Sequence, residues 1–112
     1  MLNQVILVGR LVREPEVRET ENGSKVSNVT LAVPRPYKNE DGIYETDFVN
    51  CVLWKGVAEN TAEYCKKGDV VGIRGRLQCD SSEEGKTKLN VVAEKITFLS
   101  TKNINKEQEV QK

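Results

Sequence analysis

The chain has 112 residues, 17 of them basic and 17 acidic, with a formal net charge of +0 at pH 7 and no histidine. That length makes one domain, large enough to bury a core without a metal or disulfide staple. No run approaches the roughly 18 consecutive apolar residues of a membrane span, and the N-terminus lacks a signal-peptide pattern, so a soluble cytoplasmic protein without membrane contact is expected.

Leu2 to Leu11 has a strand's composition and is apolar on both parities, with Val5 and Leu7 opposing Ile6 and Val8. One buried face needs less than that, and an edge strand of this kind invites pairing with another subunit, so an isologous dimer contact is expected there. Arg10 ends the strand, and turn-like sequence follows around Glu14-Pro15. Glu21-Asn22-Gly23-Ser24 reads as a turn. Lys25 to Val33 alternates, with Val29, Leu31 and Val33 opposite Asn28, Thr30 and Ala32. Pro34-Arg35-Pro36 is expected to stop that ladder, because proline cannot donate to it. Tyr37 to Thr46, tipped by Glu40-Asp41-Gly42, reads as a long hairpin arm.

The run from Thr46 to Lys55 (TDFVNCVLWK) is the most informative strand. Successive strand residues face opposite ways, so Phe48, Asn50, Val52 and Trp54 share one face and Val49, Cys51, Leu53 and Lys55 the other. The second face supplies a small apolar set fit for a core. The first puts two large rings beside an amide, although aromatics are only 5% of the chain. Rings on the less core-like face of a sheet suit a stacking platform for unpaired bases. Parity alone leaves the opposite reading open, with Phe48 and Trp54 in the core.

Gly56 to Lys67 has helical spacing, with Val57, Thr61 and Tyr64 on one face, Lys66 and Lys67 suited to its C-terminus and Gly68 to the residue after it. Asp69 to Gln78 is another strand, Asp80 to Lys86 a polar hairpin loop, and Thr87 to Leu99 a final long strand. Residues 100–112 form a polar tail expected to be disordered. Residues 1–99 thus read as an all-β domain, a five-stranded Greek-key OB-fold barrel with one short helix between strands three and four. A five-stranded sheet with a helix on one face is the alternative, which the helix position disfavours.

No enzyme signal survives inspection. Gly85-Lys86-Thr87 resembles the end of a phosphate-binding loop, but Asp80 stands where the first glycine is needed and a strand follows. Without histidine there is no Ser-His or Cys-His pair. Cys51, Cys65 and Cys79 lack C-x-x-C spacing, so small buried thiols are expected, with no metal and no cofactor. Asp80, Glu83 and Glu84 read as a solvated acidic loop. Since the overall charge is balanced, any nucleic-acid binding must come from a local patch. Candidate cations accompany the rings: Arg35 and Lys38 flank Tyr37, Lys55 adjoins Trp54, Arg10 ends the first strand, and Arg74 and Arg76 share a strand face. Rings interleaved with cations compose a single-strand groove, in which bases stack and phosphates are neutralised.

At these residues the chain resembles bacterial and phage-type single-stranded DNA-binding proteins across nearly all of residues 1–99. The matching segments are LNQVILVGRL at the N-terminus, Glu14-Pro15-Glu16-Val17-Arg18, Asn22-Gly23, Thr30-Leu31-Ala32-Val33, the Asp47–Trp54 strand, Ala58-Glu59 and Lys67-Gly68, in family order and spacing. The resemblance implies an OB-fold that assembles into a homotetramer and wraps single-stranded DNA with little sequence preference. It implies base-stacking aromatics at Tyr37, Phe48 and Trp54, and non-catalytic roles in replication, recombination and repair. Three departures stand out. Glu19 occupies a position where the family often has an aromatic, and the last hairpin (Asp80-Ser81-Ser82-Glu83-Glu84) offers no ring and adds negative charge. The chain also stops at Lys112 without the acidic tip with which many relatives recruit replication and repair proteins. The competing readings are an OB-fold protein-interaction accessory of replication restart and an RNA-binding barrel of cold-shock type; a hydrolase is a distant fourth.

Overall fold

The computed structural model describes residues 1–81 and 84–100. Its elements run β1 (Val5–Leu11), β2 (Arg18–Glu19), β3 (Lys25–Lys38), β4 (Tyr44–Trp54), α1 (Lys55–Tyr64), β5 (Val70–Ser81) and β6 (Thr87–Ser100). The expected acidic-loop residue Glu83 and the tail beyond Ser100 lie outside the described residues. Among those residues no helix is long and apolar enough to cross a membrane.

The strands follow the order β1-β5-β6-β4-β3-β2, and β1 returns to pair with β3 through Arg10↔Ala32 and Leu11↔Leu31. Five long strands therefore close into a barrel, with the single helix between β4 and β5. This is the OB-fold architecture. Neighbouring ladders are antiparallel except β4–β6, which run parallel through Cys51↔Val91, Val52↔Val92 and Leu53↔Ala93. Closure depends on Gly9: a Cβ there would stand 2.5 Å from the Ala32 carbonyl oxygen, so only glycine lets β1 cross β3 this closely.

Alternation decides what fills the barrel. Leu31, Cys51, Leu53, Val71 and Ile73 point inward and are buried, joined by Leu11, Val29, Val91 and Ala93. The helix adds Ala58, and Cys65 just beyond it, to the same cluster. Thr61 is also fully buried, and its hydroxyl is satisfied by donating to the Val57 carbonyl at 2.7 Å.

Several expectations require correction. The helix ends at Tyr64 rather than Lys67. Asp69 explains this, because its carboxylate accepts from the Lys66 N–H at 2.7 Å and draws residues 66–69 into a turn, with Gly68 at φ +91°. Proline does not stop β3; the ladder is paired at Pro34↔Thr46, slips, and resumes at Lys38↔Tyr44. The first strand is not a simple edge, since β5 pairs it from Val5 to Arg10. Its other side meets β3 only at Arg10 and Leu11, leaving the Val5–Gly9 edge unpaired among the described residues. Cys51 and Cys65 are buried as expected, but Cys79 is exposed, because β5 runs past the barrel into a free hairpin.

Candidate nucleic-acid interface

The cross-strand registers assemble a continuous outer floor on β3, β4, β6 and β5. Thr30 faces Asn50 across β3–β4. The parallel pair Cys51↔Val91 makes the preceding residues, Asn50 and Asn90, neighbours, and Asn90 faces Gln78 on β5. The adjoining row is Asn28, Val52, Val92 and Arg76. Over this floor lies an open groove of about 670 Å³, walled on one side by Arg13, Glu14 and Glu16 and carrying Lys88. Its mouth therefore holds two cations and two carboxylates, while its base is made of amides and a hydroxyl.

Phe48 stands on this floor, two residues before Asn50 on the same face of β4. It is 65% exposed and Trp54 40% exposed, whereas Cys51 and Leu53 on the opposite face are fully buried. The rings are therefore not core, and the alternative parity reading falls. Tyr37 is 62% exposed on the β3–β4 arm. Sequence reasoning missed a fourth ring, Tyr44, 58% exposed on the same arm. Its signal was available, because residues 44, 46 and 48 share one parity with Phe48. Also missed were Asn28, Thr30, Asn50 and Asn90, whose grouping needs the β4–β6 pairing.

The candidate cations separate into different settings. Arg10 shares a row with Ala32 and Phe48, two strands away from the ring, and one guanidinium nitrogen donates to the Gly68 carbonyl at 2.9 Å. Lys38 lies opposite Tyr44, its ammonium 5.6 Å from the ring centroid, a cation–π distance. Lys55 follows Trp54 directly, exposed, and is the one non-glycine among the described residues with positive φ, at +53°. Arg76 lies beside the groove in the row of Val92 and donates to Gln78 at 2.9 Å. Arg74, by contrast, has Ile6 and Lys95 as its cross-strand neighbours, away from the Phe48 row.

Arg35 departs furthest from expectation. Its guanidinium grips Asp47 through Nε and Nη2, the latter at 2.9 Å, and Glu45 through Nη1 at 2.6 Å. Glu45 and Asp47 alternate with Phe48, so this clamp is on the opposite face of β4 from the ring. The hydrogen bond from Arg35 holds the Asp47 carboxyl below the usual range, and the guanidinium is held more firmly charged in return. With two carboxylates as partners, Arg35 fastens the arm and presents no net positive charge to a phosphate.

The β5–β6 hairpin carries a similar lattice on its groove side. Gln78 donates to Asp80 Oδ1 at 2.9 Å and Asn90 donates to Asp80 Oδ2 at 2.8 Å, so both carboxylate oxygens are engaged. Those bonds, Gln78's first, pull the Asp80 carboxyl below its ordinary value. What stands in the hairpin is a fixed polar ladder rather than the solvated acidic loop expected at Asp80.

This geometry has a counterpart in sequence space. The profile of the Single-strand binding protein family matches residues 2–99. The chain belongs to that family. Among curated relatives, a single-stranded DNA-binding protein of Oceanobacillus iheyensis is 51% identical over 91% of this chain and 66% of its own length. One from Halalkalibacterium halodurans is 52% identical over 88% of this chain and 61% of its own. Single-stranded DNA-binding protein B of Bacillus subtilis is 49% identical over 91% of this chain and 94% of its own. The chain thus spans slightly under two thirds of the length of the first two, and nearly all of the third. Across the family match lie the rings at Tyr37, Phe48 and Trp54 and every strand of the barrel.

Proposed function

We propose that this chain binds single-stranded DNA with little sequence preference, in replication, recombination and repair, as a cytoplasmic protein without catalysis of its own. Bases stack on Phe48, Trp54 and Tyr37, with Tyr44 added on the arm. Phosphates are met by Arg10, Lys38, Lys55 and Arg76. One observation carries the reading: Phe48, 65% exposed, rises from a polar floor on the outer face of an OB barrel. An exposed ring of that size costs solubility and makes sense as a platform, because any base offers a π-face and no sequence is chosen.

The assembly we propose is a homotetramer. Two surfaces support it. The unpaired Val5–Gly9 edge of β1 can continue the sheet into a second copy. Ile6 and Val8, 71% and 52% exposed, offer an apolar face of the same strand, next to Gly72 and Leu99. Arg74 belongs with this face and is assigned to it rather than to DNA.

The test is alanine substitution of Tyr37, Phe48 and Trp54, singly, with binding of end-labelled oligo(dT) followed by anisotropy. Each loss is expected to cost about 1–3 kcal/mol of affinity. Stability should change little for Tyr37 and Phe48, which are largely exposed, and more for Trp54, which is 40% exposed. Unchanged affinity in all three would transfer the face to a protein partner, as in a replication-restart accessory.

A further inference from the structure

The groove floor has hydrogen-bonding capacity that stacking and phosphate contacts leave unused. Asn90 donates through Nδ2 to the Asp80 carboxylate, which can only accept, so its Oδ1 is the acceptor, without a partner among the described residues. Asn50 Oδ1 accepts from the Thr30 hydroxyl at 3.4 Å, leaving its Nδ2 without a partner among the described residues. A free amide donor and a free amide acceptor therefore stand side by side on β4 and β6, both lining the groove. Asn90 is 8% exposed and lines the groove, so what it exposes of its amide opens there.

The surroundings indicate which part of a nucleic acid fits here. Two carboxylates, Glu14 and Glu16, offset Arg13 and Lys88 at the mouth, and the Asp80 carboxylate is bonded to Asn90. Such a site has no net attraction for phosphate. A base stacked on a ring standing up from a sheet turns one edge down to that sheet. Beside Phe48 that edge meets the Asn50–Asn90 row.

Resting on the single-strand reading above, we infer that Asn50 and Asn90 form a base-edge subsite that hydrogen-bonds the Watson–Crick edge of the base stacked beside Phe48. The site does not choose among bases. Thymine and guanine present an imide N–H beside a carbonyl, while adenine and cytosine present an amino N–H beside a ring nitrogen. Each supplies one donor next to one acceptor, the complement of what the two asparagines leave free. The floor adds affinity for unpaired bases and none for duplex, whose Watson–Crick edges are already paired.

The experiment compares oligo(dT) with an equal-length oligomer of N3-methylthymidine, which keeps the phosphates and the stacking face but blocks the edge donor. Wild-type protein is expected to bind the methylated oligomer roughly five- to thirtyfold more weakly, the worth of one or two ordinary hydrogen bonds. Asn90→Leu, which removes the acceptor that meets the edge donor, is expected to bind both oligomers alike, near the wild-type affinity for the methylated one, while Asn50→Leu weakens both by a similar factor. Equal tight binding of both by wild-type protein would overturn the subsite while leaving single-strand binding intact. A full difference retained in Asn90→Leu would also overturn it, because the edge donor would then be met elsewhere. Failure of wild-type protein to bind either oligomer would remove the single-strand reading and the subsite together.

Discussion

Lys55 carries two opposing effects that one substitution separates. The chain turns there from β4 into α1, and Lys55 adopts φ +53° to make the turn. A side chain in the left-handed region costs about 1–2 kcal/mol relative to its relaxed backbone. Glycine removes that strain but gains freedom in the unfolded chain, worth about 0.5–1 kcal/mol against it. Lys55→Gly is therefore expected to stabilise the fold by about 0.5–1 kcal/mol, measured by urea denaturation at fixed protein concentration. The same change removes a cation beside Trp54. If Lys55 contacts a phosphate, the slope of log K against log salt should fall by about 0.7 for oligo(dT). Lys55→Gln is the control, since it keeps the strain and removes the charge: its stability should match wild type and its slope should match Lys55→Gly. Destabilisation by Lys55→Gly would refute the strain argument. An unchanged salt slope in both variants would refute the phosphate contact.

Arg35→Ala should loosen the arm: amide protection from Asn39 to Tyr44, measured by hydrogen exchange, falls wherever the Asp47 carboxylate is ionised in the wild type. In the wild type the Asp47 carboxyl is held low by Arg35, so this ion pair is intact above the unfolded carboxylate value of 3.8. Arm protection should then decline only as pH falls through the lowered value, and a decline near neutrality would contradict the clamp. Glycine substitutions should split by sign. A Cβ at Gly75 would stand 2.1 Å from the Val92 carbonyl oxygen, so Gly75→Ala should cost about 3 kcal/mol or more. Gly56, in the helix with open space around its Cβ position, should gain about 0.5–1 kcal/mol on change to alanine. A thiol reagent at pH 8 should modify only exposed Cys79 in the native protein. Burial pushes Cys51 and Cys65 up to about 11, so they should react only after unfolding.

Local alternation carried most of the fold. The parities of Val29 and Leu31, and of Cys51 and Leu53, each mark an inward face, and every one of those residues is buried. The position of the helix between the third and fourth long strands pointed to closure, and the barrel is closed. What sequence could not supply is nonlocal or sits at an irregularity. Arg35 looked like a groove cation because it neighbours Tyr37. The β3–β4 pairing sets it instead against Glu45 and Asp47, whose carboxylates its guanidinium engages. The Asn50–Asn90 pair exists only because β4 and β6 run parallel, and residues 40 positions apart show no periodicity to announce it. Lys55 read as the last residue of a strand; its left-handed backbone follows from how β4 meets α1, which no propensity encodes. Asp69 ended the helix early through one carboxylate hydrogen bond, against the pull of Lys66 and Lys67 as C-terminal residues.

Single-strand binding as proposed rests on unpaired bases stacking on the Phe48–Trp54 face. Trp54 is the single tryptophan in the chain, 40% exposed at the end of β4, and reports on that face alone. Titration with oligo(dT), and separately with duplex DNA, while following Trp54 fluorescence tests the claim most directly. Strong, saturable quenching by oligo(dT), weakened by salt, is expected, with none from duplex. Tight binding of oligo(dT) with Trp54 fluorescence unchanged, or equal quenching by duplex, would contradict it.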